Sequence, residues 1–257
     1  MSKIHKTAII DPKANIDNDV EIGPYCVIEG KVNIAKGTKL YNNVTVLNGA
    51  TIGENNEIYP GAVIGGKPQD LKFSGEFTEV FLGNNNVIRE CCTLNRGTMA
   101  TGKTIIGDNC LFMAYSHAAH DTVIGNNVIL ANSVGIGGHV HLGDYVILGG
   151  LTGVHQFVHI GKYTMIGAHS MVVKDVIPYA LFDGDPLTYE GLNVIGLKRR
   201  GFSVELIDKI KKVYGIIYGG EFNTTQALAK IAELNYQVPE IDYAINFIKN
   251  SKRGISK

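Results

Sequence analysis

The chain carries an aliphatic residue at every sixth position over most of its length. Counting in sixes from Ile4, the series keeps its register up to Val172, and the four interruptions include two residues, Ala100 and Ala118, that are still apolar. A short fixed period indicates one small structural unit that is stacked many times, and a hexapeptide period is typical of a parallel β-helix. Helical and simple alternating periodicities fit the chain less well.

The other positions of each hexad support this prediction. The residue after the aliphatic one is often glycine, asparagine or aspartate, which suits a tight corner. The residue four positions after the aliphatic one is usually small or β-branched. Three hexads would then form one triangular coil with the aliphatic side chains inside. We predict a mainly β prism of about nine or ten coils, stacked at the spacing of about 4.8 Å that separates paired strands.

Two segments leave the repeat and rejoin it in phase, residues 66–81 and residues 97–103. Such segments are expected to project as loops, and loops on a rigid scaffold are favoured places for binding groups. The first segment contains Asp70 and Lys72. A charged surface loop is most often only solvated, so its charges do not by themselves indicate a site.

The chain changes character after Val172, where the repeat ends. Proline and glycine between residues 178 and 186 are typical of a linker. The residues that follow have helical periodicity. We therefore predict a β-helix over residues 1–185 and a small helical domain over residues 186–257. The first predicted helix begins after Ser203. The second is capped by Thr224 or Thr225 and runs to Leu234. The third begins at Pro239 and ends near Asn250.

Composition narrows the class of protein. The formal net charge is zero, so nothing global indicates a nucleic-acid or membrane-surface partner. No apolar stretch is long enough to span a membrane and the start lacks a signal peptide's apolar core, so we expect a cytoplasmic protein. Cys26, Cys92 and Cys110 occupy small positions of the hexads and are expected to be reduced core thiols. The adjacent pair Cys91–Cys92 lacks metal-site spacing.

Histidine placement is the sharpest chemical signal. Seven of the eight histidines lie between residues 117 and 169. With three hexads per coil, His120 stacks on residue 138 and then on Gln156, so histidines of successive coils gather along one edge of the prism. A neutral histidine in a cleft is the natural general base near pH 7, and Asp121 would hold its tautomer. The histidines predicted to share this edge are His117, His120, His139 and His155.

Several interpretations of this cluster stay open on the residues alone. It would suit a zinc site of the kind found in parallel β-helix carbonic anhydrases, where three histidines meet between subunits. It would equally suit acyl transfer, in which a histidine deprotonates the acceptor and backbone amides hold the oxyanion. A third interpretation is a noncatalytic repeat scaffold whose edge histidines are exposed and interchangeable, as expected for His141 and His159.

Longer motifs carry a resemblance to a known family. In chain order they are PQDLKFSGE, NRGT, MAYSHAAHD, ILAN, GGHV, GLTGVHQF, GLN, GLKRRGF and SKRGI. With these segments the chain resembles the acyl-(acyl-carrier-protein)–UDP-N-acetylglucosamine O-acyltransferases, which begin lipid A synthesis, over essentially its whole length. VHQF and GLKRRGF are far more specific than the hexad repeat, which many acyltransferases share.

The resemblance implies a fold, an assembly and a reaction. It implies a left-handed β-helix, a C-terminal helical domain and a homotrimer with active sites between neighbouring subunits. It implies acyl carrier protein bearing a 3-hydroxyacyl chain as donor and the 3-position of UDP-N-acetylglucosamine as acceptor. It also implies that neither a metal nor another cofactor takes part. Some relatives use a 3-amino sugar nucleotide, and no residue of this chain decides between ester and amide formation.

Site residues follow from the same resemblance. His120 matches the general base and Asp121 the residue that orients it. The backbone N–H of Gly138 matches the oxyanion donor. The positions matching contacts to sugar, acyl 3-hydroxyl or diphosphate are Asp70, Lys72, His117, His139, His155 and Gln156, and those matching contacts to the nucleotide are Asn193 and Arg199.

The chain departs from the family pattern at a few positions. Ile195 stands where familiar members have a glutamate that contacts the nucleotide, and residues 184–187 replace the usual GN motif. Ala168 and His169 match the position that measures acyl length. Their side chains are expected to shorten the accepted chain, since each methylene of apolar contact is worth about 0.8 kcal/mol. A basic surface for the acidic carrier protein is predicted from Lys198, Arg199, Arg200, Lys252 and Arg253.

Overall fold

Three parallel sheets wind around a common axis in the computed structural model, which describes residues 3–257. Each short strand pairs with the equivalent strand of the coil before and the coil after, as Ile22 pairs with Leu40. The next strand in the chain belongs to the next sheet, so the chain forms a parallel β-helix, which fits the left-handed coil that the resemblance implies. This arrangement confirms the predicted fold class.

The strands are short because each side of the triangle holds one hexad. In chain order they are β1 (Lys3–Ile4), β2 (Ile9–Ile10), β3 (Asn15–Ile16), β4 (Glu21–Ile22), β5 (Val27–Ile28), β6 (Asn33–Ile34), β7 (Lys39–Leu40), β8 (Thr45–Val46), β9 (Ala50–Ile52), β10 (Glu57–Ile58), β11 (Val63–Gly66), β12 (Glu79–Leu82), β13 (Val87–Ile88), β14 (Thr93–Asn95), β15 (Lys103–Ile106), β16 (Leu111–Phe112), β17 (His117–Ala118), β18 (Val123–Ile124), β19 (Ile129–Leu130), β20 (Gly135–Ile136), β21 (His141–Leu142), β22 (Ile147–Leu148), β23 (Gly153–Val154), β24 (His159–Ile160), β25 (Met165–Ile166), β26 (Met171–Val172), β27 (Ala180–Asp183) and β28 (Thr188–Leu192).

We name the sheets by their first strands. Sheet A has 11 strands and starts at β1, sheet B has nine and starts at β2, and sheet C has eight and starts at β3. The second residue of nearly every strand points inward and is fully buried, as are the small residues four positions later, including Cys26, Cys92 and Cys110. All three of these cysteines are unpaired, which confirms the prediction of core thiols. Burying one such aliphatic side chain contributes about 1.5–3 kcal/mol.

The corners use the left-handed backbone conformation in a regular way. Asp121, His139 and Phe157 occupy the same corner of three successive coils with φ of 60°, 60° and 65°. The backbone of each is tied to the coil before it: His139 N–H donates to the carbonyl of His120 at 3.0 Å, and Phe157 N–H to that of Gly138 at 3.0 Å. Side chains at equivalent corner positions therefore lie one above the other.

The predicted linker contains a hairpin. Strands β27 and β28 pair antiparallel, and β27 also extends sheet A, with Ile166 opposite Phe182. Their strand character comes from this pairing with the last coil, which is a tertiary contact that proline and glycine positions do not reveal. The predicted domain boundary at residues 185 and 186 falls in the turn between the two strands and stays a prediction.

Four helices follow in residues 194–250: α1 (Val194–Arg199), α2 (Val204–Tyr218), α3 (Thr224–Glu233) and α4 (Pro239–Asn250). The predicted start of α2 after Ser203 and the predicted extent of α4 are confirmed. For α3 the predicted cap was wrong. Asn223 is the N-cap, and it forms a capping box with Gln226. Asn ranks above Thr as an N-cap, but residues 223–225 are three adjacent candidates, and the folded chain shows that Asn223 accepts the bond.

The helical part packs on the last coils of the β-helix. The buried side of α2 includes Ile210, Val213 and Tyr214, and the Tyr214 hydroxyl donates to the carbonyl of Pro178 at 2.5 Å. The C-terminal tail then crosses back to the β-helix, where Ser251 Oγ donates to Asp175 Oδ2 at 2.6 Å. Within residues 3–257, no helix combines the length and the apolar character that crossing a membrane requires.

Candidate active site

Both loop segments project from the same edge of the prism. We call the three edges B–C, C–A and A–B, after the sheets between which the chain passes. The first loop connects β11 of sheet B to β12 of sheet C, and the second connects β14 of sheet B to β15 of sheet C. His120, Gly138 and Gln156 occupy that corner in later coils. The topology therefore brings both loops and the histidine cluster to the B–C edge.

His120 and Asp121 form a buried pair on this edge. Asp121 Oδ2 lies 2.8 Å from His120 Nδ1. Asp121 is 1% exposed and His120 is 8% exposed. Because the ionised carboxylate only accepts hydrogen bonds, this contact requires the proton on Nδ1 and leaves Nε2 as the basic nitrogen.

The second loop supplies the remaining partners of the Asp121 carboxylate. Thr98 donates twice, from its backbone N–H to Oδ1 at 3.0 Å and from its hydroxyl to Oδ2 at 2.7 Å. The Thr101 hydroxyl also donates to Oδ1. Burial acts to raise the pKa of Asp121, but hydrogen bonds from Thr101, His120 and Thr98 outweigh it and hold the pKa below its usual value. The NRGT motif contained Thr98, yet sequence reasoning gave neither threonine a role.

Gly138 lies directly against the basic nitrogen of His120. A Cβ added to Gly138 would lie 2.7 Å from His120 Nε2 and 2.6 Å from Cε1, so no side chain fits. Its neighbours Gly137 and His139 donate their N–H groups to Val154 and His120, whereas the Gly138 N–H makes no such bond within residues 3–257. An oxyanion donor requires such a free N–H, and the absence of a side chain lets a carbonyl approach it closely.

His139 forms the wall beside this pair. Its ring meets that of His120 edge to face with centroids 5.2 Å apart and stacks on Phe157 at 4.5 Å. Burial lowers the pKa of His139, against an opposing effect of Asp121 and a smaller one of Asp70. Asp70 lies on the first loop at the same edge, and its role stays a prediction. Lys72 is exposed on the same loop.

The other two histidines of the cluster flank the pair. His117 Nδ1 is hydrogen-bonded to Thr93 Oγ1 at 2.7 Å, and burial lowers its pKa. His155 and Gln156 are exposed two coils after the pair. Nδ1 of His155 lies 3.0 Å from the Gln156 carbonyl oxygen and 3.3 Å from the guanidinium of Arg253. By contrast, His141 and His159 simply stack on the face of sheet C, with centroids 4.4 Å apart.

The residues predicted to contact the nucleotide lie on the C–A edge instead. Asn193 caps α1, and its amide nitrogen donates to the carbonyl of Tyr163 at 3.0 Å. Arg199 and Arg200 follow at the end of this helix, and the Arg200 guanidinium lies 4.4 Å from the ring centroid of Tyr145. Together they line a cavity of about 330 Å³. Ile195 is 67% exposed in the first turn of α1.

The residues matching the acyl-length position lie on the third edge. Ala168 and His169 are exposed between β25 of sheet A and β26 of sheet B, which is the A–B edge. The corner of the previous coil must have glycine at position 149, because a Cβ on Gly149 would lie 2.5 Å from the backbone nitrogen of Ala168. Within one chain, the predicted site residues are therefore divided among all three edges of the prism.

The predicted basic surface is divided in the same way. Lys198, Arg199 and Arg200 lie at the C–A edge, while Lys252 and Arg253 are on the C-terminal tail. Arg253 donates to the carbonyl of Val173 at 3.2 Å from both Nε and an Nη nitrogen. Its guanidinium is thus partly used in holding the tail on the β-helix. The carrier-protein surface stays a prediction.

A metal ion is one alternative for the histidine cluster. Ligand atoms of His120, Asp121 and His139 lie within 4.8 Å of one another. However, both oxygens of Asp121 already accept hydrogen bonds from Thr98, Thr101 and His120. These bonds are those of an orienting carboxylate. Two histidines are in this group, whereas the zinc interpretation called for three.

Comparisons with known proteins match both parts of the chain. A family model described as "Udp N-acetylglucosamine O-acyltransferase; Domain 2" matches residues 175–256, and one described as "Bacterial transferase hexapeptide (six repeats)" matches residues 31–66 and 103–138. The acyl-[acyl-carrier-protein]–UDP-N-acetylglucosamine O-acyltransferase of Thermodesulfovibrio yellowstonii is 47% identical over the full length of both chains. The chain belongs to this family of acyltransferases. The enzyme of that name from Chlorobium phaeobacteroides is 54% identical, covering 99% of this chain and 97% of that one.

Solved structures agree with this acyltransferase assignment. LpxA from Acinetobacter baumannii superimposes with a TM-score of 0.96 at 45% identity, over 99% of this chain and all of that one. The Arabidopsis UDP-N-acetylglucosamine acyltransferase does so with a TM-score of 0.86 at 34% identity over the same shares. The predicted family is confirmed along the whole chain, while the roles of its individual site residues stay predictions.

Proposed function

We propose that this protein transfers a 3-hydroxyacyl chain from acyl carrier protein to the glucosamine 3-position of UDP-N-acetylglucosamine, the first step of lipid A synthesis. His120 Nε2 takes the proton of the acceptor as the acceptor oxygen attacks the thioester carbonyl. The Gly138 N–H stabilises the oxyanion, and the thiol of the carrier leaves with the proton that His120 gives back. No step in this sequence calls for a metal or a cofactor.

The His120–Asp121 pair beside Gly138 carries this proposal. The Nδ1 contact to Asp121 fixes the tautomer that leaves Nε2 basic. An ionised Asp121 also stabilises the imidazolium that forms during proton transfer. The Gly138 N–H next to Nε2 has room for a carbonyl because no Cβ is present. General base and oxyanion donor are thus adjacent, as acyl transfer requires.

The division of site residues among three edges supports a homotrimer with shared sites. Rotation about a three-fold axis parallel to the prism brings different edges of neighbouring chains together. The outward side chains of Leu111, Ile129, Ile147 and Met165 give sheet A an apolar face of the kind that subunit contacts bury. Outward glycines at positions 135 and 153 of sheet B leave room for close approach of a neighbouring chain or substrate.

The acyl-length proposal for Ala168 and His169 depends on this assembly. Because they lie on the A–B edge, they face the dyad only from a neighbouring chain. Comparing rates with 10-, 12-, 14- and 16-carbon donors, and repeating the series with Ala168→Gly, tests the proposal. We expect one preferred length that increases in the glycine variant, because a methyl group is removed from the end of the groove. A flat profile in the wild type would reject a ruler at this position.

The compartment and the acceptor atom are also proposals. All four cysteines are unpaired, which a reducing cytoplasm favours. His120 would deprotonate a 3-hydroxyl or a 3-amino group equally well. Ile195, exposed beside the predicted nucleotide contacts, removes a carboxylate that would otherwise accept hydrogen bonds from the nucleotide.

The first experiment measures acyl transfer from 3-hydroxyacyl carrier protein to UDP-N-acetylglucosamine in chelator. Wild type and His120→Ala are compared. We expect wild-type transfer to persist in chelator and the variant to lose a factor of about 10²–10⁴, the usual contribution of a general base. Transfer only to the 3-amino nucleotide would correct the acceptor. Failure with both acceptors, together with stoichiometric zinc and carbon dioxide hydration, would replace the proposal with the carbonic anhydrase interpretation.

A further inference from the structure

The loop at residues 97–103 makes hydrogen bonds to the dyad through Asp121. Apart from His120, every side chain or backbone group that donates to the Asp121 carboxylate within residues 3–257 belongs to Thr98 or Thr101. Just after the loop, the Thr104 hydroxyl accepts from the backbone N–H of Asp121 at 2.9 Å. Three threonines from one short segment therefore hold Asp121, two through its carboxylate and one through its backbone N–H.

The loop is built to hold its shape. The Gly102 N–H donates to the carbonyl of Thr98 at 2.7 Å, closing the loop on itself. At its start, a Cβ on Gly97 would lie 2.3 Å from the backbone nitrogen of Lys103, so the two ends of the loop meet without room for a side chain. Thr98 is buried, although Met99 at the tip is exposed. The hydroxyl donors are therefore positioned before any substrate arrives.

The four donors occupy the carboxylate completely. Thr98 bridges both oxygens, Thr101 takes a second site on Oδ1, and His120 takes the second site on Oδ2. A carboxylate has about four lone-pair sites, so no acceptor capacity remains in the plane. The neutral threonines stabilise the negative charge without adding a positive one. They also keep Oδ2 from turning towards His139, whose Nε2 is 3.6 Å away.

We propose that Thr98 and Thr101 are positioning residues that fix Asp121 and thereby set the tautomer and basicity of His120. This inference deepens the proposed function and rests on it. Hydroxyl donors withdraw negative charge from the carboxylate, so the carboxylate attracts the imidazolium less strongly. Removing a donor would make the ring of His120 take up its proton at a higher pH, leaving less of the free base at neutral pH. The other titratable groups facing the pair are His117 and His139, with Asp70 acting on His139.

The test compares Thr98→Val, Thr98→Ser and Thr101→Val with the matched control Thr38→Val. Thr38 is fully buried and its hydroxyl donates to the carbonyl of Gly53 at 2.8 Å, far along the prism from the dyad. We expect kcat to fall between about tenfold and a hundredfold in both threonine-to-valine loop variants, the range for groups that orient a functional side chain. Michaelis constants should change little, and the acid limb of kcat/KM should move to higher pH. Thr98→Ser should restore both properties.

A second readout needs no substrate. Nitrogen-15 NMR of the histidine rings reports the tautomer of His120 and the pH at which it is protonated. We expect His120 to have the Nδ1–H tautomer in the wild type. In Thr98→Val and Thr101→Val, we expect His120 to be protonated at a higher pH than in the wild type. Identical titration in wild type and both variants, with kcat losses no larger than in Thr38→Val, would overturn the proposal. If wild type transferred no acyl chain to either acceptor, the proposed function would fail while the NMR comparison still decided the role of the loop.

Discussion

At the scale of single residues, the site depends on the close approach of Gly138 to the His120 ring, which leaves no room for a side chain at position 138. A Cβ added to Gly138 would lie 2.7 Å from His120 Nε2, and the backbone N–H of Gly138 makes no hydrogen bond to another backbone group within residues 3–257. We predict that Gly138→Ala lowers kcat by at least about a hundredfold, the effect of losing one oxyanion donor. Alanine keeps the N–H, but its methyl group would push the His120 imidazole out of place, so the N–H and the general base would no longer act on the same carbonyl. Steady-state kinetics and an unchanged circular dichroism spectrum check this.

Gly215→Ala is the matched control for this change. Gly215 lies inside α2 and an added Cβ would meet no atom within 4 Å. The helix should gain about 0.5–1 kcal/mol because alanine loses less backbone entropy on folding. Transfer activity should equal that of the wild type. Equal activity in the Gly138 and Gly215 variants would contradict the oxyanion role of Gly138.

At the scale of elements, the start of α3 was the point at which the sequence-based prediction was wrong. The Asn223 side chain accepts from Gln226 N–H at 3.0 Å, and Gln226 Oε1 accepts from Asn223 N–H at 3.1 Å. We predict that Asn223→Ala lowers the free energy of unfolding by about 1 kcal/mol, the usual cost of losing a cap. Thr224→Ala should raise it by a few tenths at most, because Thr224 is already inside the helix, where alanine is the better helix former. Urea denaturation of both variants checks this, and equal losses would return the cap to Thr224.

At the scale of the whole molecule, the distribution of site residues among three edges predicts the activity of trimers assembled from two different variants. His120→Ala subunits and Arg199→Ala subunits should each be impaired alone. If sites form between chains, random 1:1 trimers should recover about a quarter of wild-type activity, since two intact edges then meet at one site in four. Unfolding and refolding the two variants together, then assaying transfer, measures this.

The control for mixing uses two variants on one edge. His120→Ala and Asp121→Asn affect neighbouring residues that contact each other within one chain. A mixture of these two should stay at the activity of the separate variants, because each site has either the alanine or the asparagine. Recovery in this control, or its absence in the first mixture, would contradict sites shared between the B–C and C–A edges.

Much of this protein is determined by local sequence. The six-residue period by itself specifies which side chain of each hexad is buried, because the strand and corner geometry repeats in every coil. It also places His120, Gly138 and Gln156 one above the other, so the edge that carries the dyad follows from counting. Ser203 and Pro239 mark helix starts through their own backbone chemistry. Family motifs then supply the reaction, since no spacing distinguishes acyl transfer from a zinc site.

Tertiary structure decided what depends on contacts between distant segments. The hairpin of β27 and β28 exists because the last coil offers it a sheet edge, and Pro178, Gly184 and Pro186 conceal that by suggesting a linker. The hold of Thr98 and Thr101 on Asp121 depends on how one loop closes over the next coil. The edge that carries Ala168 follows from the repeat, whereas Arg199 reaches the C–A edge only because α1 packs beside Tyr145 and Tyr163. Periodicity determines which residues lie inside, because burial repeats locally, whereas the partners of a polar group depend on the whole fold.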